Sequence, residues 1–313
     1  MGALGAALIA KERYKEGKKS SLLASDELDK FSYKTDMRRC GGCGNNCLLT
    51  INHFSDGGRY ITGNRCEKGS GITKKRKDIP NLYEYKYKRT FDYTPLDEDK
   101  AKRGTIGIPR VLNMYENYPF WATFFTKLGY RVVLSGNSTR ELYEKGIGTI
   151  PSETVCYPAK LTHGHIIDLI NKGVKTIFYP SIFYERKEDE KANNHLNCPV
   201  VTSYPEVIKH NMDELKDENI EFLNPFLTFD DKDGLKKGLI KAFKGFSIPR
   251  RDINNAVDIA WDEQLKYKSD IRKKGEEALK YIRENNMKGI VLSGRPYHID
   301  PEVNHGIPNV VTS

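Results

Sequence analysis

No stretch of the 313-residue sequence approaches the roughly 18 consecutive apolar residues that a membrane-spanning helix needs, which excludes a helical anchor of that kind. The apolar opening from Met1 to Ala10 has no basic segment ahead of it and runs straight into Lys11, Glu12 and Arg13, so it does not read as a signal peptide. No basic element interleaved with aromatics stands out. Lysines mostly alternate with Glu and Asp, so the net charge of +9 is not organised as a nucleic-acid surface. The sharpest basic run, Lys74-Lys75-Arg76-Lys77, reads as a solvated connector. Cysteines are few, and they do not form the scattered framework of a disulfide-stapled domain: four of six lie between Cys40 and Cys66, while Cys156 and Cys198 stand alone. That distribution favours metal chemistry in a reducing compartment, so a cytoplasmic protein is expected.

What remains is the composition of a globular chain, 38% hydrophobic and 30% charged, long enough for about two domains. Met1 to Tyr14 reads as a helix, and Ser20 to Thr35 as irregular. From Cys40 to Gly71, glycine and asparagine are too dense for regular elements, which suggests a loop-rich knuckle held by a staple. Lys74 to Arg103 is charged and Tyr-rich, a linker by composition. Beyond Gly104, short β-rich runs alternate with helical stretches. Strands are expected at Thr105 to Pro109, Arg131 to Leu134, Lys175 to Tyr179 and Val200 to Ser203. Helices are expected at Pro119 to Leu128, Thr139 to Lys145 and Ala159 to Asn171. That alternation implies a parallel sheet with right-handed crossovers, a doubly wound α/β lobe. Asp252 to Asn286 reads as one or two helices burying Ala256, Ile259, Leu265 and Ile271. Lys288 to Ser293 reads as the first strand of a second lobe, cut off by the end of the sequence.

Cys40-Gly-Gly-Cys43-Gly-Asn-Asn-Cys47, followed by Cys66, supplies four thiol ligands among glycines that let the backbone wrap a metal. The spacing matches neither a paired zinc ribbon nor the ferredoxin run, so zinc and iron both remain open. Redox-active thiols are the lesser reading. Asn45-Asn46 and Asn64-Arg65 read as loop hydrogen-bonding residues.

Cys156 precedes Tyr157-Pro158 and a helical stretch, a helix N-terminus where the dipole favours a thiolate. Cys198, before Pro199, is expected at a loop-to-strand junction. Each is balanced between a buried structural thiol and a ligand. His163 and His165, two apart on one helix, should occupy different faces, one in the core and one exposed. His298 and His305 flank Asp300 and Glu302 at a spacing that could bind metal, though a terminal loop is the simpler reading. Asn193-Asn194-His195 reads as a turn.

Several motifs agree in order with a known family. The Cys40 to Cys47 knuckle closing with Gly63-Asn-Arg-Cys-Glu-Lys-Gly69, then Ile106-Gly-Ile-Pro-Arg110, Glu153-Thr-Val-Cys-Tyr-Pro-Ala-Lys160, Cys198-Pro-Val-Val and Ser293-Gly-Arg-Pro-Tyr-His298, resemble the acyl-CoA dehydratase activase-related proteins. In these large anaerobic chains, ATPase activase domains precede a region related to the 2-hydroxyacyl-CoA dehydratase subunits. Met1 to Ala7 is similar to the last helix of the actin-like ATPase fold of those activases. The rest of that ATPase is missing, so ATP belongs to the missing activase domain alone and no nucleotide-binding or catalytic residue is carried over. In the dehydratase relatives, cysteines at strand ends of flavodoxin-like lobes hold an iron–sulfur cluster. The resemblance extends that role to Cys156 and Cys198, with the remaining ligands expected farther along.

The resemblance implies the following organisation: residues 1–35 as the end of an ATPase domain plus linker, 36–75 as the cysteine knuckle, 76–103 as linker, 104–250 as a flavodoxin-like α/β lobe, and 251–313 as a helical segment opening a truncated second lobe. It implies an iron–sulfur module, 4Fe-4S in type. Such a module receives low-potential electrons from an ATP-driven activase domain in the same full-length chain and passes them to an acyl-CoA dehydratase-type partner. Neither nucleic acid nor membrane is expected as a partner, and self-association is left open. The alternative is a zinc-stapled α/β binding module without redox activity, so that the chain alone need not be a complete enzyme.

Overall fold

The computed structural model describes residues 2–14, 25–42, 45–65, 67–70 and 79–312. The chain divides into two units, Met1–Thr73 and Lys74–Ser313.

In the first unit, α1 (Gly2–Arg13) matches the expected helix but buries none of its residues, and α2 (Ser25–Leu28) is a single turn. The stretch expected to be irregular and loop-rich carries instead a three-stranded antiparallel meander, β1 (Tyr33–Arg39), β2 (Leu48–Phe54) and β3 (Arg59–Thr62). β2 explains why: Leu49 and Ile51 alternate inward and are buried, the period-two pattern of a half-buried strand. Phe31 and Tyr33 pack on Phe54 at the far end. Glycine density had masked a short apolar alternation.

The second unit begins with a helix, α3 (Leu82–Phe91), where composition suggested a linker. Asn81 caps it, its side chain accepting from the Tyr83 and Glu84 N–H groups at 3.1 and 3.2 Å. Thr90 and Phe91 are buried, and the Arg89 guanidinium bonds Glu263 and Asp270 at 2.8 and 2.9 Å. Part of the charge in the stretch read as a linker is therefore spent on tertiary pairing.

Next come β4 (Thr105–Ile108), α4 (Met114–Leu128), β5 (Arg131–Leu134), α5 (Arg140–Gly146), α6 (Tyr157–Asn171), β6 (Thr176–Phe178) and β7 (Ser181–Ile182). α7 (Pro199–Asn211), α8 (Glu214–Asp217), β8 (Glu221–Leu223), β9 (Phe226–Leu227), α9 (Lys232–Ala242), α10 (Arg250–Glu284) and α11 (Ile307–Val311) complete the chain. β4, β5, β6 and β8 form a parallel sheet in the order β5-β4-β6-β8, and β7 pairs with β9 in a separate parallel ribbon. The fold is mixed α/β with a four-stranded parallel sheet. Its core is aromatic: Phe120, Trp121, Phe124 and Phe125 on α4 pack with Phe178, Phe229 and Phe243.

Three expectations are corrected here. Val200 to Ser203 is not a strand but the first turn of α7, because Pro199 presets the helical φ and Val201, Tyr204, Pro205 and Ile208 bury one helical face. Lys288 to Ser293 forms no regular element, and Ile290 and Val291 are 66% and 88% exposed. The stretch from Asp252 is one continuous helix as far as Glu284, α10, which packs on α4, α9 and α3 and buries Ile253, Ala256, Val257, Ala260, Gln264 and Tyr267. Of the four core positions expected there, only Ala256 is buried, and Leu265 is 38% exposed.

Candidate functional site

Parallel strands joined by helices place every helix N-terminus that precedes a strand at the carboxyl ends of the sheet, where ligands of such folds bind. Cys156 is the N-cap of α6, and Cys198 is the N-cap of α7, not the strand start expected from the sequence. Proline follows in the first turn of both helices, fixing φ where no intrahelical N–H bond is lost. Cys156 is exposed and Cys198 half-buried. Both lie near Tyr297, in the short 3₁₀ turn Pro296–Ile299: burial raises that phenol's pKa, and the charges of Cys156 and then Cys198 raise it further. Cys156 bears likewise on Tyr179 and Tyr204, whose phenols are raised chiefly by burial. The Tyr179 hydroxyl and the Ser181 Oγ are buried without a hydrogen-bond partner, and Thr162 beside Tyr179 does not close one.

The four-cysteine knuckle expected from the sequence falls only partly within the described residues. β1 and β2 end in register at Arg39 and Leu48, and the next pair closes the hairpin, with the Cys40 N–H donating to the Cys47 carbonyl at 2.9 Å. Cys43 and Cys66 lie outside the described residues, as does the basic run at 74–77. Among the described residues, no group of three or more His, Cys, Asp or Glu side chains is placed to hold a metal. The spacing of His298, Asp300, Glu302 and His305 therefore does not produce a metal site. His298 Nδ1 accepts the Arg295 N–H at 3.0 Å, and Asp300 turns inward.

Asp300 ends a buried polar chain that sequence reasoning missed. The Arg110 N–H donates to Ser135 Oγ at 2.8 Å, Ser135 Oγ meets His165 Nδ1 at 2.8 Å, and His165 Nε2 meets Ser138 Oγ at 3.0 Å. Ser138 and Tyr115 both donate to Asp300 Oδ2, and the Glu302 N–H donates to Oδ1 at 2.8 Å. Ser138 has one proton and gives it to Asp300, so His165 donates from Nε2. Full burial keeps His165 neutral, and its Nδ1 then accepts from Ser135. Burial, and next the charge of Arg110, push its pKa down to about 3. Asp300 is raised by burial, against the hydrogen bonds from Ser138 and Tyr115.

His163 is buried too, not exposed as two-apart spacing suggested, because α6 is covered on one side by α5 and on another by α7. Its Nδ1 meets Thr149 Oγ1 at 2.7 Å and its Nε2 meets the Tyr204 hydroxyl at 3.0 Å. The one available hint of the buried chain was its residue types: Ser135, Ser138 and Thr139 follow β5 in a Gly-Asn loop, and the histidine and aspartate reach them from distant segments.

Among the described residues no helix is long and apolar enough to cross a membrane. Neither the curated proteins nor the solved structures give a match to this chain. The model of the family described as CoA enzyme activase uncharacterised domain (DUF2229) matches residues 105–313, the parallel-sheet lobe together with α10 and the Asp300 segment. With more than half of the sequence covered, the chain belongs to this activase-related family.

Proposed function

We propose that the chain is the iron–sulfur module of an ATP-dependent acyl-CoA dehydratase activase-related protein, relaying low-potential electrons to a dehydratase-type partner or domain in the cytoplasm. The supporting observation is the placement of Cys156 and Cys198. The two thiols N-cap successive helices, α6 and α7, and both bear on Tyr297. The donor set fits such a group: helix N-termini favour thiolates, and two of them stand on successive helices. A bound cluster supplies one-electron transfer. The protein's part is to hold two thiolates on preformed helix starts, with the buried His163 and His165 of α6 both uncharged. The strand order second-first-third-fourth supports a flavodoxin-like doubly wound lobe. The hairpin that brings Cys40 beside Cys47 supports a separate site shared with Cys43 and Cys66. ATP would act on an activase domain in cis, and the lobe's own remaining cluster ligands would come from elsewhere.

The test is anaerobic purification and reconstitution with iron and sulfide, followed by iron and sulfide analysis and electron paramagnetic resonance after reduction. A brown protein whose reduced spectrum loses one component in Cys156→Ser and Cys198→Ser supports the reading. A colourless protein that takes up only zinc, with both variants spectroscopically silent, overturns it in favour of a zinc-stapled binding module.

A further inference from the structure

Arg110 stands two residues past β4, the central strand from which β5 lies on one side and β6 on the other. The order of the sheet reverses here, and the crevice outside such a reversal is where doubly wound sheets receive ligands. The guanidinium carbon lies over the Phe91 ring, 4.6 Å from its centroid, and 5.6 Å from the centroid of the Tyr87 ring. Its Nη1 donates to the Tyr87 hydroxyl and to Asn137 Oδ1, each at 2.7 Å. Both partners are neutral. Among the described residues no carboxylate pairs with Arg110, whereas Arg89, two residues after Tyr87 on α3, binds Glu263 and Asp270. Asp300, the nearby buried acid, is engaged by Ser138 and Tyr115 instead.

The other edge of the guanidinium is unused. Nε is buried without an acceptor, and Nη2 makes no hydrogen bond to the described protein. The Nε and Nη2 edge is a two-pronged donor that matches two oxygens of a carboxylate or phosphate. In the same β4–α4 loop, Asn113 is 3% exposed and both of its side-chain polar atoms lack partners. Tyr87 also forms one wall of a cavity of about 280 Å³, close to the roughly 300 Å³ at which ligand pockets begin. Asn81, Tyr83, Asn304 and Asn309 line it with neutral hydrogen-bonding groups, and its one acid, Glu84, is bound by Lys88 at 2.9 Å.

We propose that Arg110, oriented by Tyr87 and Asn137 at the reversal of the sheet, is the anchor of a binding site for an oxyanion, the carboxylate or phosphate group of a small molecule. A partly buried cation without a counter-ion is costly, and an incoming oxyanion would supply both the missing charge and the missing acceptor for Nε. The proposal is independent of the iron–sulfur reading and requires no metal.

The experiment follows the arginine Nε–H resonances of the nitrogen-15-labelled chain while inorganic phosphate or acetate is titrated against chloride at equal ionic strength. We expect a saturable shift of the Arg110 resonance with phosphate, with acetate, or with both. The responding probe identifies the group recognised. Calorimetry on Arg110→Lys should show affinity for that probe lowered at least about tenfold, since a lysine cannot make the paired bonds. The urea midpoint of Arg110→Lys, compared with that of the parent chain, guards against a folding defect in the lysine variant. Equal shifts with chloride, no saturable shift with either probe, or undiminished binding by a folded Arg110→Lys variant would overturn the proposal.

Discussion

Gly146 and Gly164 face each other where α5 crosses α6. A methyl group on Gly164 would lie 2.0 Å from the Leu142 carbonyl oxygen, and one on Gly146 would lie 2.2 Å from the Gly164 nitrogen. Both obstructing atoms are backbone and cannot swing aside. The crossing sets the position of α6, and with it of Cys156 at its start. Gly164→Ala should therefore cost about 3 kcal/mol, the upper range of overpacking, read as a lowered urea midpoint. Gly148→Ala, with open space around it, should be close to neutral. Equal stability of the two variants would mean that the helices do not approach so closely.

The buried histidines give the fold an acid limit. Burial, then Arg110, holds His165 at about 3, and burial holds His163 at about 4. Both folded values lie below the unfolded value of about 6.5, so the unfolded chain gains protons first as pH falls. Stability is complete above that value. Below it each histidine forfeits about 1.4 kcal/mol per pH unit, roughly 4 kcal/mol for the pair between pH 7 and pH 5. Urea denaturation at both pH values should show that His165→Gln removes about half of the pair's share of the loss. An unchanged pH dependence in this variant would contradict a neutral, buried His165.

Asp300 fastens the segment after α10 to the lobe. Asp300→Ala strands the Ser138 and Tyr115 hydroxyls and the Glu302 N–H, all of which it receives. The expected cost is about 3 kcal/mol, together with faster protease cleavage between residues 295 and 305. Cleavage at the wild-type rate would show that the segment is held by other contacts.

Arg89 ties α3 to α10 through two carboxylates on a side chain that is 18% exposed. Arg89→Met should lower stability by about 2 kcal/mol, less than for a fully buried pair. A neutral result would return α3 to the status of a connector.

At the β1–β2 hairpin, Cys40 and Cys47 are hydrogen-bonded neighbours through their backbones. If they share a metal with Cys43 and Cys66, Cys47→Ser should remove about one metal equivalent per chain, and Cys66→Ser should remove the same one. Metal content insensitive to Cys66→Ser would dissolve the four-ligand site.

Local signals sufficed for much of this molecule. The β-rich runs at Thr105 and Arg131 and the Thr139 cap mark β4, β5 and α5 because alternation and capping act within a few residues. Cys156 could likewise be placed at a helix start from the proline two residues on. Three other features depended on contacts across the chain. Val200 to Val201 has strand propensity, but the buried stripe of α7 overrides it, since propensity differences of tenths of a kcal/mol yield to burial. Charged, Tyr-rich α3 is held by contacts from far along the chain, with Glu263 and Asp270 opposite Arg89 and Phe91 packed on Tyr115 and Tyr118. The chain from Arg110 to Asp300 joins residues 162 and 185 positions apart, Ser138 and Tyr115 each to Asp300. No spacing rule reaches that far: the sequence sets which side chains can donate and accept, and the folded packing decides which of them meet.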